Sequence, residues 1–209
     1  RGHVAEDLEG ETVRWINPVD PYINLRGIEL NGKILGIIGL GTIGKRISEL
    51  GYALGMKCIA YDPYANDIPR HTSITDIDFL MKRSDFISIN VPETEETKKL
   101  LDARLLELMK PTSFLINLSS PSITDEKTLV LQLKNKRIAG AAFDIYESTP
   151  INPDNPLLKL QNVILSPHLG GATEGTVDRH SSMMSTDIIR FINGKRPKNI
   201  VNPDVWNGK

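Results

Sequence analysis

Cysteine is nearly absent from this sequence: Cys58 is the only one in 209 residues. That scarcity excludes an internal disulfide framework and a metal centre built from several cysteines. Charge of one sign is also missing, with 25 Lys and Arg against 26 Asp and Glu and a net charge of −1. Bulk electrostatics therefore points to no nucleic-acid or anionic-membrane partner, and no basic run argues otherwise. There is no apolar run long enough to cross a bilayer and no recognisable signal peptide. There is no Gly-x-Ser-x-Gly elbow either, so Ser119 and Ser120 read as capping or phosphate-binding residues rather than as nucleophiles for His168. Cys58 sits in an apolar run and reads as a buried, inert thiol. A reducing compartment fits it, and the expected location is cytoplasmic. The chain opens on Arg1 rather than Met, which gives the expectation of an excised fragment. Apolar content of 40% and 24% charge are ordinary for a globular protein.

What is present is organised around Gly39-Leu-Gly-Thr-Ile-Gly44. An apolar run, Lys33 to Ile38, leads into it. A helical stretch opens at Thr42 and runs to about Leu54. A second apolar run, Lys57 to Tyr61, ends in Asp62, 18 positions after Gly44. Strand, glycine turn, helix, strand and acid at a spacing of about 20 make a dinucleotide site. The first glycine permits the tight turn, the second lets backbone approach a pyrophosphate, and the third lets helix pack on strand. The phosphates rest on the helix N-terminus, where N–H groups are free and the dipole is positive. Asp62 then takes the ribose hydroxyls. Its neighbours Pro63, Tyr64 and Ala65 carry no positive charge for a 2′-phosphate, which favours NAD over NADP.

The rest of the chain alternates in the same manner. Val4, Leu8 and Val13 read as the end of a helix, and Trp15 to Arg26 as an extended connector. Residues 27–32 form a turn before the first core strand. Ile74, Ile77, Leu80 and Met81 mark a short amphipathic helix. Phe86 to Val91 is a strand stopped by Pro92. Leu100 to Met109 hold one or two helical turns. Ser113 to Leu118 is a strand, Leu129 to Leu133 a helix, and Ile138 to Phe143 a strand ending at Asp144. Asn162 to Ser166 is the last strand. A long helix from about Thr173 to Ile192 is closed by Asn193-Gly194. The tail from Lys195 is polar and irregular.

Nearly continuous apolar strands alternating with helices predict an α/β fold, a doubly wound parallel sheet of the Rossmann type. In such sheets ligands bind beyond the strands' carboxyl ends, at the switch in strand order. Gly39, Asp62, Asn90 or Pro92, Asn117, Asp144 and His168 all lie at strand ends. His168 has two open readings: a proton-exchanging group, since a histidine titrates near neutrality, or a loop residue that only bonds backbone. Asp144 is either an acceptor for a nicotinamide carboxamide or ribose, or a cap. Asn90 and Asn117 divide the same way. His3, His71 and His180 read as surface residues, and no metal site is expected.

Six motifs in order carry a resemblance. They are Leu35 to Gly44, Tyr61-Asp-Pro-Tyr64, Ala142-Phe-Asp-Ile-Tyr-Glu147, Asn155-Pro-Leu-Leu-Lys159, Asn162-Val-Ile-Leu-Ser-Pro-His-Leu-Gly-Gly-Ala-Thr173 and Val201-Asn-Pro203. Together they resemble the NAD-binding domain of the D-isomer-specific 2-hydroxyacid dehydrogenases, the group of phosphoglycerate and glycerate dehydrogenases. The resemblance runs from about Leu25 to the chain's end. It implies hydride transfer between nicotinamide and C2 of a 2-hydroxy or 2-keto acid, with His168 exchanging the hydroxyl proton. It implies a cofactor-binding set of Gly39, Gly41, Thr42, Ile43, Gly44, Asp62, Pro63, Val91, Pro92, Thr97, Asn117, Leu118, Ser119, Asp144, His168 and Gly171. It also implies a homodimer formed through the cofactor domain, with a substrate domain mostly absent from this chain. Residues 1–26 then read as the remnant of a connecting helix and linker, 27–193 as the Rossmann domain, and 194–209 as a tail returning to the substrate domain.

Two positions depart from the pattern. The family's substrate-binding arginine falls on Ser120, followed by Pro121 in place of glycine. Its histidine-tuning glutamate falls on Thr149, with Glu147 two residues earlier. Serine offers no bidentate, charge-assisted contact to a carboxylate. The departures leave a second reading beside the enzyme: a non-catalytic NAD-binding module, as among the family's co-repressor relatives.

Overall fold

The structure, a computed structural model, describes residues 26–206 together with Val19, Tyr22 and Ile23. The expected helix end in residues 1–14 lies outside the described residues, as does most of the expected connector. Seven strands form one sheet: β1 (Ile34–Ile38), β2 (Lys57–Tyr61), β3 (Thr72–Ile74), β4 (Phe86–Ile89), β5 (Phe114–Asn117), β6 (Gly140–Phe143) and β7 (Val163–Leu165). Their order is β3-β2-β1-β4-β5-β6-β7, and every pairing is parallel. Among the described residues, five α-helices connect and cover them: α1 (Thr42–Ala53), α2 (Ile77–Arg83), α3 (Ala103–Glu107), α4 (Glu126–Lys134) and α5 (Glu174–Ile192).

Side-chain alternation along β1 divides the core. Leu35 and Ile37 join Met56, Cys58 and Ala60 on one face, and Ile38 joins Leu80, Ile87 and Leu115 on the other. Each Leu, Ile or Met among them removed from water contributes roughly 1.5–3 kcal/mol. Gly36 lies where α2 comes close; a Cβ there would meet the Leu80 side chain at 2.8 Å and run into Ser84. Asp85 fastens the start of β1 by accepting the Ile34 N–H at 2.8 Å and the Lys110 ammonium at 2.8 Å. Burial pushes its carboxyl up, but those two partners outweigh it and hold the group below the usual carboxylate range.

Three elements differ from the sequence reading. Ile74 belongs to edge strand β3, not to the following helix, which starts at Ile77. A three-residue strand paired on one side carries too little periodicity to be read. β4 ends at Ile89, so Asn90 and Val91 already lie in the loop above the sheet. Leu100 and Leu101 precede α3; Leu101 instead bridges to Thr124. His71 is not a free surface residue either: it bonds Ser48 Oγ at 2.8 Å and stacks on Tyr52.

β1 occupies the switch in strand order. Its end is tied to both neighbours, with Gly39 N–H donating to Tyr61 O at 2.9 Å and Asn90 N–H to Ile38 O at 2.7 Å. The chain turns to one side through α1 and to the other through the return to β4. The crevice between these two departures opens above the carboxyl ends of β1 and β4.

Candidate functional site

Three helices of the sheet are closed at their N-termini by aspartates. Asp76, Asp102 and Asp125 accept the N–H groups of Phe79, Leu105 and Thr128 at 2.7, 2.8 and 3.0 Å. α1 is different. Its N-cap is Gly41, no side chain caps it, and its first turn holds no acid. The α1 N-terminus is therefore left with donor groups and a positive dipole end directed into the crevice. α5 also lacks a side-chain cap, but Glu174 stands in its first turn.

The three glycines of the loop have separate physical jobs. Gly39 has φ +90°, and a Cβ there would come within 2.7 Å of Asn90 O and Val91 Cγ1. A Cβ on Gly44 would collide with Gly39 O, so glycine there lets α1 approach the end of β1. At Gly41 a Cβ would meet nothing within 4 Å. Neither packing nor backbone strain calls for glycine at 41; the space in front of it is where a phosphate would come close to backbone. The same holds at Gly171 across the crevice.

Asp62 closes the loop from the side. Its Oδ2 accepts Leu40 N–H at 2.8 Å and its Oδ1 accepts Tyr64 N–H at 2.8 Å. The acid expected to meet a ribose thus also fixes the glycine loop and its own strand end. Asp62 lines a cavity of about 420 Å³ with Gly39, Gly41, Pro63, Val91, Pro92 and Thr97. Tyr64 and Glu96, joined by a 2.8 Å hydrogen bond from the phenol, form part of its wall. Thr97 Oγ1 donates to Pro92 O at 2.6 Å and so shapes the loop after β4.

On the other side of the loop lies a cavity of about 850 Å³. Ile43, Val91, Pro92, Leu118, Ser119, Ser120, Asp144, His168 and Gly171 all line it. Two expected residues do not face either cavity: Thr42 and Gly44 sit within α1. Asn117, 2% exposed, turns inward as well. It donates to Ser120 O and accepts Ser119 N–H, both at 3.0 Å, and thereby shapes the loop that carries Leu118 to Ser120. Thr149 does not line the His168 cavity, and neither does Glu147.

Asp144 is the hub of the His168 loop. It is 5% exposed and accepts Ser166 Oγ–H at 2.5 Å, Leu169 N–H at 2.8 Å and Gly170 N–H at 2.8 Å. The Ser166 hydroxyl, the two backbone N–H groups and the nearby His168 hold its carboxyl below the usual range, against a smaller opposing push from burial. His168 itself has φ +57°, a left-handed conformation that costs a non-glycine residue roughly 1–2 kcal/mol. The Asp144 clamp on both following residues offsets that cost and presents the exposed imidazole to the cavity.

The sequence reading did not single out Glu93, which lines the same cavity. Ser120 Oγ–H donates to Glu93 Oε2 at 2.5 Å, and hydrogen bonds from Ser120 and Ser122, with help from Lys98, hold the Glu93 carboxyl below the usual range. The signal was available: an acid immediately after Pro92, just past a strand end. Among the described residues no group of three His, Cys, Asp or Glu is placed to hold a metal ion. No described helix is long and apolar enough to cross a membrane.

Comparison with known proteins gives one consistent result. The profile of the family described as "D-isomer specific 2-hydroxyacid dehydrogenase, NAD binding domain" matches residues 7–170. A glyoxylate reductase of Aeropyrum pernix is 39% identical over 182 residues, which cover 86% of this chain and 54% of the relative. Among solved structures, an acyclic imino acid reductase in complex with NADPH and D-Arg aligns with a TM-score of 0.80 at 32% identity, over 86% of this chain and 57% of the other. A D-isomer-specific 2-hydroxyacid dehydrogenase of Lactobacillus delbrueckii ssp. bulgaricus, in its NAD-complexed form, aligns with a TM-score of 0.78 at 28% identity, over 95% of this chain and 63% of the other. The chain spans about half the length of such curated relatives.

Proposed function

Because the chain belongs to the D-isomer-specific 2-hydroxyacid dehydrogenase family and forms its NAD-binding domain, we propose that it serves hydride transfer between a nicotinamide cofactor and the alcohol or carbonyl carbon of a small substrate. The family's substrate class is the 2-hydroxy and 2-keto acids. The observation that carries this reading is the pairing of an uncapped α1 N-terminus with two cavities flanking the glycine loop.

In this reading the adenosine end rests in the smaller cavity, its ribose hydroxyls on Asp62, and the pyrophosphate over Gly41 and the α1 N–H groups. The nicotinamide end rests against Ile43, Leu118 and Ser119, with Gly171 leaving room beside it. When bound, the cofactor supplies the hydride acceptor or donor. The chain's own contribution is to place His168, which exchanges a proton with the substrate oxygen, and to hold it there through Asp144. Asp144 acts first as a positioning residue. The acid at Asp62, with no cation to meet a 2′-phosphate among Pro63, Tyr64 and Ala65, supports NAD. The Rossmann unit takes residues 27–193, with 194–209 returning toward a substrate domain. A homodimer through this domain is carried over from the family resemblance, and the single buried Cys58 is compatible with the proposed cytoplasmic setting.

The test is NADH oxidation by the full-length protein against a panel of 2-keto acids and uncharged 2-keto alcohols. Turnover that His168→Ala abolishes supports an enzyme. No turnover on any member, even after Ser120→Arg with Thr149→Glu, rejects it in favour of a binding module.

A further inference from the structure

The cavity that holds His168 is lined by three ionisable side chains: Glu93, Asp144 and His168. Among the described residues no lysine or arginine lines it. Asp144 is occupied with the His168 loop, so Glu93 is the carboxylate left facing a ligand there, beside His168. It is exposed, sits just past the end of β4, and is tied to Ser120 by the 2.5 Å hydrogen bond from the serine hydroxyl. Lys98 and Lys99 line an adjoining cavity of about 610 Å³, on which Glu93 and Ser120 also border. The nearest cations therefore approach Glu93 from outside the His168 cavity.

A carboxylate placed beside Ser120 would meet a like charge at hydrogen-bond range. At full solvent screening that repulsion is worth about fivefold in affinity, and it grows as a bound cofactor excludes water. A hydrogen-bond donor at the same place would instead find an acceptor in the Glu93 carboxylate, since Ser120 Oγ is already engaged with Glu93 and Ser122. We propose that Glu93, paired with Ser120, selects the substrate's head group: the group next to the reacting carbon is an uncharged or cationic hydrogen-bond donor, a hydroxyl or an ammonium, rather than a carboxylate. This rests on the reading of the His168 cavity as the reaction cleft, and it sets this chain's head group apart from the carboxylate of the family's 2-hydroxy and 2-keto acids.

Three small ketones of similar size isolate the head group: pyruvate, hydroxyacetone and aminoacetone. Each is titrated calorimetrically into the full-length protein saturated with NAD⁺, a state in which a ketone binds without being reduced. Aminoacetone or hydroxyacetone is expected to bind at least fivefold more tightly than pyruvate. Glu93→Gln should bring pyruvate's affinity up about fivefold and aminoacetone's down by a similar factor, whereas Glu93→Asp should keep the original preference. The aminoacetone and hydroxyacetone arms tell an ammonium from a hydroxyl. Tighter binding of pyruvate by the unaltered protein, a preference that Glu93→Gln does not move, or no binding of any of the three overturns the assignment. The prior NAD⁺ titration keeps the two readings apart: failure to saturate refutes the cofactor site, and saturation without charge discrimination refutes the head-group assignment alone.

Discussion

The carboxylate of Asp144 reaches past His168 to take the Leu169 and Gly170 N–H groups, both at 2.8 Å, while Ser166 bonds it from the other side. His168 is thus bracketed by its own loop. A left-handed histidine needs such support, because the conformation is uphill for any residue with a Cβ.

Asp144→Ala removes the acceptor of three donors at once. The expected loss is about 2 kcal/mol of stability, roughly 4–8 °C in Tm for a domain of this size. The loss of function should be larger than the loss of stability, since the imidazole is no longer presented. Thermal melts set against single-turnover hydride transfer check this, and unchanged turnover after Asp144→Ala would remove the positioning role.

Gly41 and Gly44 should separate binding from folding. Gly41 is extended, with φ −71° and ψ −162°, and has open space in front of it. Gly41→Asp places a favourable N-cap on α1, so Tm should hold or rise by the equivalent of about a few tenths of a kcal/mol. The same carboxylate occupies the phosphate position, and NAD binding should fall by at least about a hundredfold. Gly44→Ala drives a Cβ into Gly39 O and should lower stability by about 1–3 kcal/mol. Equal stability losses in the two variants would contradict the assigned roles.

Asp62 serves the loop and the ribose together, which predicts an outcome a ribose-only role does not. Asp62→Ala should weaken NAD and fail to create NADP binding, because the Leu40 N–H loses its acceptor and the glycine loop loosens. Titration of both cofactors, with amide exchange at Leu40 as the second readout, checks it. Exchange at Leu40 unchanged in Asp62→Ala would leave only the ribose role.

Acid should destabilise the domain through identified groups. Asp85 and Asp144 both sit below the usual carboxylate range in the fold. Each stabilises the native state fully above its unfolded pKa of roughly 4, and that contribution is lost as pH falls through the lower folded value. Urea midpoints should drop below about pH 4, and Asp85→Asn should flatten the drop. A midpoint that does not change between pH 5 and pH 3 would refute this linkage.

The fold could be read because parallel strands buried on both faces leave long apolar runs, and because the glycine loop has a fixed spacing to Asp62. Edge strand β3 escaped, being three residues long with Thr72 and Ser73 at its start. The strand-end rule pointed to one region, and the structure places Asp62, Pro92, Asp144 and His168 along two cavities there. What single residues do there was less legible. Asn117 lies at a strand end yet points inward to build a loop, and strand position alone does not distinguish that from facing the cleft. Glu93 escaped because its importance lies in a contact with Ser120, 27 positions away in sequence.

The central claim is that the α1 N-terminus and its glycine loop hold the dinucleotide. Calorimetric titration of NAD into the 209-residue chain, beside the Gly41→Asp variant, tests it most directly. The account predicts saturable one-site binding by the unaltered chain and none by the variant, with both melting as folded proteins. Binding of equal strength by both, or by neither, would contradict it.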